Sequence, residues 1–215
     1  ILLQDYDSET VDRILGSSYE MRPTSIRVNT DRISVDEVER KLEAAGIETV
    51  RGSLNDTSLL IKGYDYVRRI PGFMDGEFVV QDQSSCLAVR AAGIQNGDLV
   101  VDVCAAPGGK TMYAASLAGQ TGRVISRDLT ENKTELIEEN VDRLGLTNVT
   151  VEAWDARDLD ENLVGKADVV IADLPCSGLG IMGRKNDIKY NVTGDSIDEL
   201  AQLQRDILDT VSRYV

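Results

Sequence analysis

The amino-acid sequence predicts an α/β protein, in which a doubly wound, mainly parallel sheet follows a small α+β domain. Two observations support this prediction. From Gly97 onward, short apolar strand patterns alternate with helical patterns, which is typical of a parallel sheet with crossover helices. Before that residue, several strand-like segments accompany one clearly capped helix. We therefore expect the small domain at residues 1–75 and the sheet domain at residues 76–215.

The small domain begins with a helical pattern over residues 1 to about 20, and the alternation in Ser25–Asn29 predicts a strand. Ser34 and Glu37 then form a capping box, which starts a helix that Gly46 ends. Three more strand-like segments follow, at residues 47–50, 58–61 and 77–81. Together these elements indicate a compact α+β unit ahead of the main sheet.

The main sheet follows a helix that Asp82 or Ser84 caps and that runs to Ala92. Four strands are predicted, at residues 99–104, 123–128, 149–154 and 168–173. Helices are predicted at residues 111–118, 131–144 and 196–214, with a short turn near 158–163. A doubly wound sheet of four strands is short and the chain lacks an initiator Met, so we expect a fragment with further strands beyond Val215.

The composition is ordinary for a globular protein, with 42% hydrophobic and 28% charged residues. No apolar run approaches the roughly 18 residues that a membrane helix needs, and residues 1–5 do not resemble a signal peptide. The three cysteines are widely spaced and form no Cys-x-x-Cys pair, so neither a disulfide framework nor a metal site is indicated. We therefore expect a cytoplasmic, monomeric protein without a membrane or metal partner.

The charge balance bears on partners and on catalysis. A formal net charge of −14 argues against non-specific attraction to nucleic acid, because phosphate contacts need Lys and Arg, although a local basic groove remains compatible with it. The sequence contains no histidine, which is the commonest general base. Catalysis must therefore use Cys, Asp, Glu, Lys or Tyr.

The most informative segment is the glycine turn after the first strand of the main sheet, where Cys104–Thr111 reads Cys-Ala-Ala-Pro-Gly-Gly-Lys-Thr. A strand, a tight turn and a helix in this order present backbone N–H groups to a ligand. Acidic residues follow the next three strands, at Asp128, Asp155 and Asp173. Because the carboxyl ends of parallel strands meet at one edge, a ligand site is predicted there.

Two nucleotide ligands are compatible with this turn. The run Gly109–Thr111 matches the second half of a phosphate-binding P-loop, but Cys104 occupies the position of its first glycine and Pro107 shortens the turn. Asp128 follows Gly109 by 19 residues, which is the spacing of an acid that binds a ribose diol. We therefore favour a nucleoside ligand over a triphosphate, with a P-loop nucleotidase as the alternative.

Both the turn and the segment Asp173–Gly178, which reads Asp-Leu-Pro-Cys-Ser-Gly, closely resemble motifs of the Fmu/Sun/RsmB family of RNA cytosine-5 methyltransferases. The resemblance extends to Ile26–Thr30, Val80–Ser85 and Arg184–Lys189, and so covers nearly the whole chain. It implies a Rossmann-like fold that uses S-adenosylmethionine as methyl donor. It also implies an RNA substrate, with small-subunit ribosomal RNA preferred over transfer RNA.

The resemblance assigns the residues of the glycine turn to the amino-acid end of the donor, namely Cys104, Ala105, Ala106, Pro107, Gly108, Gly109 and Lys110. By the same resemblance, Asp128 holds the ribose hydroxyls and Asp155 lies beside the adenine. Asp173 is placed between the donor and the target base, where it stabilises the reacting cytosine. Lys110 favours a nearby thiolate or orients polar groups.

Cytosine carbon 5 becomes nucleophilic only after a thiolate adds to carbon 6, and the target base must be unstacked. In DNA enzymes the Pro-Cys cysteine supplies this thiolate, and Cys176 matches it. In the RNA family the thiolate comes from a Thr-Cys motif after the fifth strand, and the Pro-Cys residue assists product release. The 215 residues contain no Thr-Cys pair. We therefore expect Cys176 to be the helper, the nucleophile to lie beyond Val215, and this fragment to be inactive.

The other two cysteines are interpreted as packing residues, Cys104 in the turn and Cys86 in the core of its helix. A second interpretation of the chain is a module that binds S-adenosylmethionine and RNA without catalysis. Candidate RNA contacts are the basic residues next to the Pro-Cys segment, Arg184, Lys185 and Lys189, although a solvated loop explains them equally well. Arg27 with Asn29, or Arg68 with Arg69, would extend a basic face across the small domain.

Overall fold

The computed structural model describes residues 2–17, 22–181 and 188–215. The chain forms two compact units, one of Pro23–Leu174 with Asp206–Val215 and one of Ile1–Arg22 with Pro175–Arg205. Both sheets lie in the first of these units. Within the described ranges, the helices are too short or too polar for any of them to cross a membrane.

The described residues contain strands β1 to β8 and helices α1 to α8. The strands are Thr24–Val28, Glu48–Arg51, Ser58–Lys62, Phe78–Val80, Leu99–Asp102, Arg123–Asp128, Val149–Ala153 and Val169–Ile171. The helices are Leu2–Asp5, Ser8–Ser17, Val35–Ala44, Gln83–Ala91, Gly109–Ala118, Glu131–Leu144, Ile188–Asn191 and Gly194–Val211. Short 3-10 turns occupy Val67–Arg69, Leu179–Ile181 and Ser212–Tyr214.

The first sheet is antiparallel, with the strand order β2-β3-β1-β4. Helix α3 covers it because Val38 and Leu42 are fully buried in one cluster with Ile26, Leu59 and other apolar residues of the strands. The predicted capping box is confirmed, since the Ser34 hydroxyl accepts a hydrogen bond from Glu37 N at 3.3 Å. This sheet and helix form the predicted α+β unit.

The second sheet is parallel throughout, with the order β7-β6-β5-β8. The side chains of α4 and α5 pack with Val100 and Val124 in one core, while Ile137 of α6 packs with Ala105 in another. The predicted α/β class with a parallel sheet is thereby confirmed. Because the strands run in the same direction, the residues after β5, β6, β7 and β8 lie along one edge.

Several predicted boundaries differ from the structure. Strand β5 ends at Asp102 rather than Cys104, and α5 begins at Gly109 rather than Thr111, because the turn takes up the residues between them. Strand β8 is also shorter than predicted. Strand β6 and helix α6 have the predicted bounds. The domain boundary at residue 75 stays a prediction, and β4 just after it hydrogen-bonds to β1.

Candidate functional site

The glycine turn connects β5 to α5 and contains two unusual backbone conformations. The peptide bond between Ala106 and Pro107 is cis, and Gly108 has a φ of 97°. A Cβ atom on Gly108 would lie 3.2 Å from Ile137 Cγ2, so the residue needs both the conformational freedom and the small size of glycine. The first helical hydrogen bond of α5 runs from Met112 N to Gly108 O at 2.9 Å, and the N–H groups of residues 109–111 precede it.

Asp128, the last residue of β6, connects this strand to the glycine turn by a hydrogen bond. Its Oδ2 accepts a hydrogen bond from Ala106 N at 2.9 Å, and its Oδ1 accepts from Leu129 N and Lys133 Nζ, each at 2.8 Å. The side chain is buried. Because a carboxylate offers about four acceptor positions, three of those on Asp128 are occupied within the chain and one on Oδ2 is not.

Asp102, the last residue of β5, is a site residue that the sequence analysis missed. Its Oδ2 accepts a hydrogen bond from Thr111 Oγ1 at 2.7 Å, and Thr111 in turn lies 2.8 Å from Ser126 Oγ. Its Oδ1 is buried and has no hydrogen-bond partner in the described part of the chain. Burial raises the pKa of Asp102 to about 7. The sequence signal that could have identified Asp102 is its position directly before the turn.

Lys110 and Asp173 join α5 to the segment after β8. The lysine ammonium forms an ion pair with Asp173 Oδ2, and its side chain is largely buried whereas the aspartate is exposed. The two predicted catalytic groups are therefore in direct contact. The ion pair restrains the Asp173 carboxylate next to the first turn of α5.

A cavity of about 190 Å³ lies over the turn. It brings together seven of the predicted donor-binding residues, Cys104, Ala105, Ala106, Pro107, Gly109, Lys110 and Asp173. The sequence analysis did not assign its other lining residues, which are Val80, Gln81, Asp82, Ser85 and Asp102. Gly108, Asp128 and Asp155 lie outside its described lining.

Asp155 follows β7 and forms an ion pair with Arg157. Arg157 donates to both of its carboxylate oxygens, with Nη2 2.5 Å from Oδ2 and the backbone N 3.0 Å from Oδ1. These hydrogen bonds lower the pKa of Asp155. The preceding Trp154 N donates to Asp128 O at 2.9 Å, so the two predicted nucleoside-binding acids follow neighbouring strands.

The cysteines differ in their surroundings. Burial, with a smaller contribution from Asp128, raises the pKa of the Cys104 thiol to about 11, so this thiol is protonated at neutral pH. Cys86 is fully buried in the core with α4 and α5, which confirms its interpretation as a core residue. Cys176 belongs to the second compact unit and is exposed.

The predicted RNA contacts are described only in part. Arg184 and Lys185 lie outside the described residues, and of Lys189 the structure describes the backbone in α7. The expectation that Arg27 and Asn29 extend a basic face is wrong, because both side chains are buried under the first sheet and hydrogen-bonded there.

A larger cavity of about 390 Å³ lies next to the opposite end of α5, lined by Asp31, Arg32 and Asn148 among others. Asp31 there accepts a hydrogen bond from Ser116 Oγ at 2.6 Å. This cavity includes none of the strand-end acids, so size alone does not identify the site. The smaller cavity over the turn is the better candidate.

Two family models match the chain. The family model described as 16S rRNA methyltransferase RsmB/F matches residues 90–215, which include the turn and every strand-end acid. A second model, the ferredoxin-like domain of the RsmF/B-like methyltransferases, matches residues 1–67.

Individual relatives are similar over almost the whole chain. A probable ribosomal RNA small subunit methyltransferase B from Bacillus subtilis (strain 168) is 36% identical over 98% of this chain and 47% of its own length. The 25S rRNA (cytosine-C(5))-methyltransferase nop2 of Schizosaccharomyces pombe is 31% identical over 87% of this chain and 31% of its own. The crystal structure of PH0851 superposes with a TM-score of 0.89 at 32% identity, over 99% of this chain and 48% of that one. The chain thus spans about half the length, or less, of these relatives.

Proposed function

This chain belongs to the RsmB/F family of 16S rRNA methyltransferases, and on that basis we propose that it acts in methyl transfer from S-adenosylmethionine to carbon 5 of a cytosine in RNA. The observation that carries the proposal is the cavity over the glycine turn. Its lining includes both the Lys110–Asp173 ion pair and the buried carboxylate of Asp102. The donor side and the base side of a methyl-transfer site are adjacent there.

The charge of the cavity supports this donor over a nucleoside triphosphate. Asp82, Asp102 and Asp173 line it, and Lys110, which is engaged by Asp173, is the one basic residue in its described lining. A triphosphate would bring several negative charges against these carboxylates, which is unfavourable. S-adenosylmethionine instead carries a sulfonium and an ammonium group, and its sulfonium supplies an electrophilic methyl.

The chain's own residues suit the parts of this donor. The turn from Cys104 to Lys110 offers small side chains and helix N-terminal N–H groups for the amino-acid end. Asp128 has an acceptor position for the ribose hydroxyls. Asp155, which is paired with Arg157, is assigned to a position beside the adenine.

On the base side, we assign Asp173 to the ring nitrogen and exocyclic amine of the cytosine, held in place by Lys110. A thiolate adds to carbon 6, carbon 5 then takes the methyl, and loss of the carbon-5 proton allows the thiolate to leave. By family resemblance the attacking thiolate belongs to a Thr-Cys motif, which these 215 residues do not contain, and Cys176 assists release.

Small-subunit ribosomal RNA is the proposed substrate, because the family model and the Bacillus relative carry that description. Arg184, Lys185 and Lys189 remain the proposed RNA contacts. We also propose that the protein is a monomer. We propose that it works in the cytoplasm, because the free thiols of Cys86, Cys104 and Cys176 suit a reducing compartment.

Tritium release tests the reaction most specifically. Small-subunit ribosomal RNA carrying tritium at cytosine carbon 5 is incubated with the full-length protein and S-adenosylmethionine. We expect tritium to enter the solvent in proportion to methyl incorporation, because the carbon-5 hydrogen is lost. Methyl incorporation without tritium release would place the methyl elsewhere and refute the proposal. If the protein methylates transfer RNA as fast as it methylates small-subunit ribosomal RNA, the choice of substrate is wrong.

A further inference from the structure

Gln81 lines the cavity over the turn, and its side chain has an unpaired donor. Gln81 is 6% exposed, and its Oε1 accepts a hydrogen bond from Arg27 Nε at 2.7 Å. Its Nε2 is buried and has no hydrogen-bond partner in the described part of the chain. Because an arginine can only donate, the amide oxygen must face Arg27, and the amide NH₂ group must face the other way.

Arg27 lies on β1 of the antiparallel sheet and is 3% exposed. Its guanidinium lies over the ring of Tyr113 on α5, 4.4 Å from the ring centroid. Burial lowers the pKa of Arg27. Burying a cation costs free energy unless hydrogen bonds compensate for it. Here Arg27 Nε donates its hydrogen bond to Gln81.

The amide NH₂ group of Gln81 is one of two unpaired polar groups of opposite kind in this cavity. The other is Asp102 Oδ1, a buried acceptor without a described partner. An isolated buried donor or acceptor costs free energy unless a ligand satisfies it. A donor and an acceptor in one small cavity match a zwitterion, since a carboxylate needs donors and an ammonium needs acceptors.

Without the Gln81 donor, a ligand carboxylate would bind poorly in the cavity over the turn, because most of the charged residues around it are acidic. Asp82, Asp102 and Asp173 line the cavity, and Lys110 is held by Asp173. A Cβ atom on Gly109 would lie 3.7 Å from Gln81 Nε2, so the amide lies directly against the start of α5. The amide NH₂ group and the N–H groups at the start of that helix are therefore the donors that a carboxylate would meet.

We propose that Gln81 binds the carboxylate at the amino-acid end of the methyl donor, and that Arg27 is a positioning residue that fixes the Gln81 amide. The proposal rests on the proposed function, since it names a contact to the same donor. Through it the antiparallel sheet takes part in donor binding. Arg27 itself does not line the cavity and acts through Gln81.

The test compares two ligands by calorimetry on the 215-residue chain. S-adenosylhomocysteine carries the amino-acid end, whereas 5′-methylthioadenosine keeps the nucleoside and the thioether without it. Gln81→Glu keeps the shape and the acceptor for Arg27 but replaces the NH₂ group by an oxygen. We expect this variant to bind S-adenosylhomocysteine about tenfold or more weakly, while its affinity for 5′-methylthioadenosine changes less than about twofold.

Two further variants separate positioning from structure. Arg27→Met keeps a similar volume without a donor, so it should weaken S-adenosylhomocysteine binding and leave the melting temperature near that of the parent chain. In a Gln81→Ala background the same change should have no further effect, because Arg27 acts through the missing amide. Gln120→Glu, on an exposed residue, adds the same charge outside the cavity and should change neither affinity.

The outcomes are distinct. If Gln81→Glu binds S-adenosylhomocysteine as tightly as the parent chain, or loses affinity equally for both ligands, the Gln81 assignment is wrong. If Arg27→Met weakens binding equally with and without Gln81, Arg27 does not act through Gln81. If the parent chain binds neither ligand, the proposed function itself fails, and this assignment fails with it.

Discussion

Three aspartates near the turn differ because their surroundings differ. Asp128 accepts three hydrogen bonds and is thereby held in one orientation. Asp102 accepts one, from Thr111, and is buried so deeply that its pKa rises to about 7. Asp173 is exposed and paired with Lys110. The same residue type therefore provides a fixed acceptor, a titratable buried acceptor and an exposed group in an ion pair.

The raised pKa of Asp102 predicts a pH-dependent stability of the ligand-free chain. The folded pKa of about 7 exceeds the unfolded value of 3.8, so the protonated form is favoured in the fold. Stability from this group is complete below the unfolded pKa and is lost as the pH rises toward 7. Asp102→Asn, which mimics the neutral acid, should melt near the parent chain at pH 4 and several degrees higher at pH 8.

The free-energy gain at pH 8 should be on the order of a few kcal/mol. Thermal melts across this pH range provide the measurement, and Asp168→Asn is a control, because Asp168 accepts a hydrogen bond from Leu99 N away from the cavity. A constant difference between Asp102→Asn and the parent chain across the range would contradict the assignment.

Asp173 offers a kinetic prediction for the full-length protein. Asp173→Asn keeps the size of the side chain but removes the charge that is assigned to the reacting cytosine. We expect the rate of methyl transfer at saturating substrate to fall by about 100-fold or more, as for loss of a group that acts in the transition state. Because Asp173 also lines the donor cavity, S-adenosylhomocysteine affinity is measured by calorimetry as well, and the loss of rate should exceed the loss of affinity by at least about tenfold. An unchanged rate would remove Asp173 from the mechanism.

At the scale of elements, the turn between β5 and α5 is shaped by the helix behind it. Gly108 has a left-handed conformation, and Ile137 Cγ2 of α6 lies 3.2 Å from the position that a Cβ atom would take there. The glycine therefore allows α6 and the turn to approach closely. This packing fixes the position of the first residues of α5, which line the cavity over the turn.

Gly108→Ala should destabilise the chain more than Gly93→Ala, its matched control. Gly93 has a φ of 71° but open space around its Cβ position, so alanine there should cost only the conformational strain of about 1–2 kcal/mol. At Gly108 the contact with Ile137 should add about 1 kcal/mol or more. Denaturant unfolding measures both, and Gly108→Ala alone should weaken S-adenosylhomocysteine binding. Equal losses for the two variants would show that the contact is unimportant.

The elements whose ends carry local signals were predictable from the sequence. Helix α6 matches its prediction because Gly145 ends it, and α3 begins at a capping box that two nearby residues form. The positions of Asp128, Asp155 and Asp173 at strand ends were also predictable, because they follow from the strand pattern. The Arg27–Gln81 bond was not, since its partners are 54 residues apart and nothing local couples them.

At the scale of the whole molecule, Arg143 connects α6 to the loop and strand before α4. Its Nη1 donates to Phe73 O at 2.7 Å and to Phe78 O at 3.1 Å, and its guanidinium lies 4.1 Å from the centre of the Phe73 ring. The antiparallel sheet and the parallel sheet are thus joined by a partly buried cation.

Arg143→Ala should cost about 2–3 kcal/mol, because it leaves two carbonyl groups without their donor. Arg68→Ala is the matched control, since Arg68 also contacts α6, but through an exposed ion pair with Glu139 at 3.2 Å. That change should stay within about 0.5 kcal/mol. Urea unfolding of both variants gives the comparison. A loss at Arg68 as large as that at Arg143 would contradict the role of the buried contact.

The central claim, that the cavity over the turn is a site for S-adenosylmethionine, is tested most directly by calorimetry of the 215-residue chain. S-adenosylhomocysteine and magnesium–ATP are titrated separately. We expect S-adenosylhomocysteine to bind with a stoichiometry near one and magnesium–ATP to give no binding heat, because carboxylates line the cavity. Binding of magnesium–ATP without binding of S-adenosylhomocysteine would contradict the account.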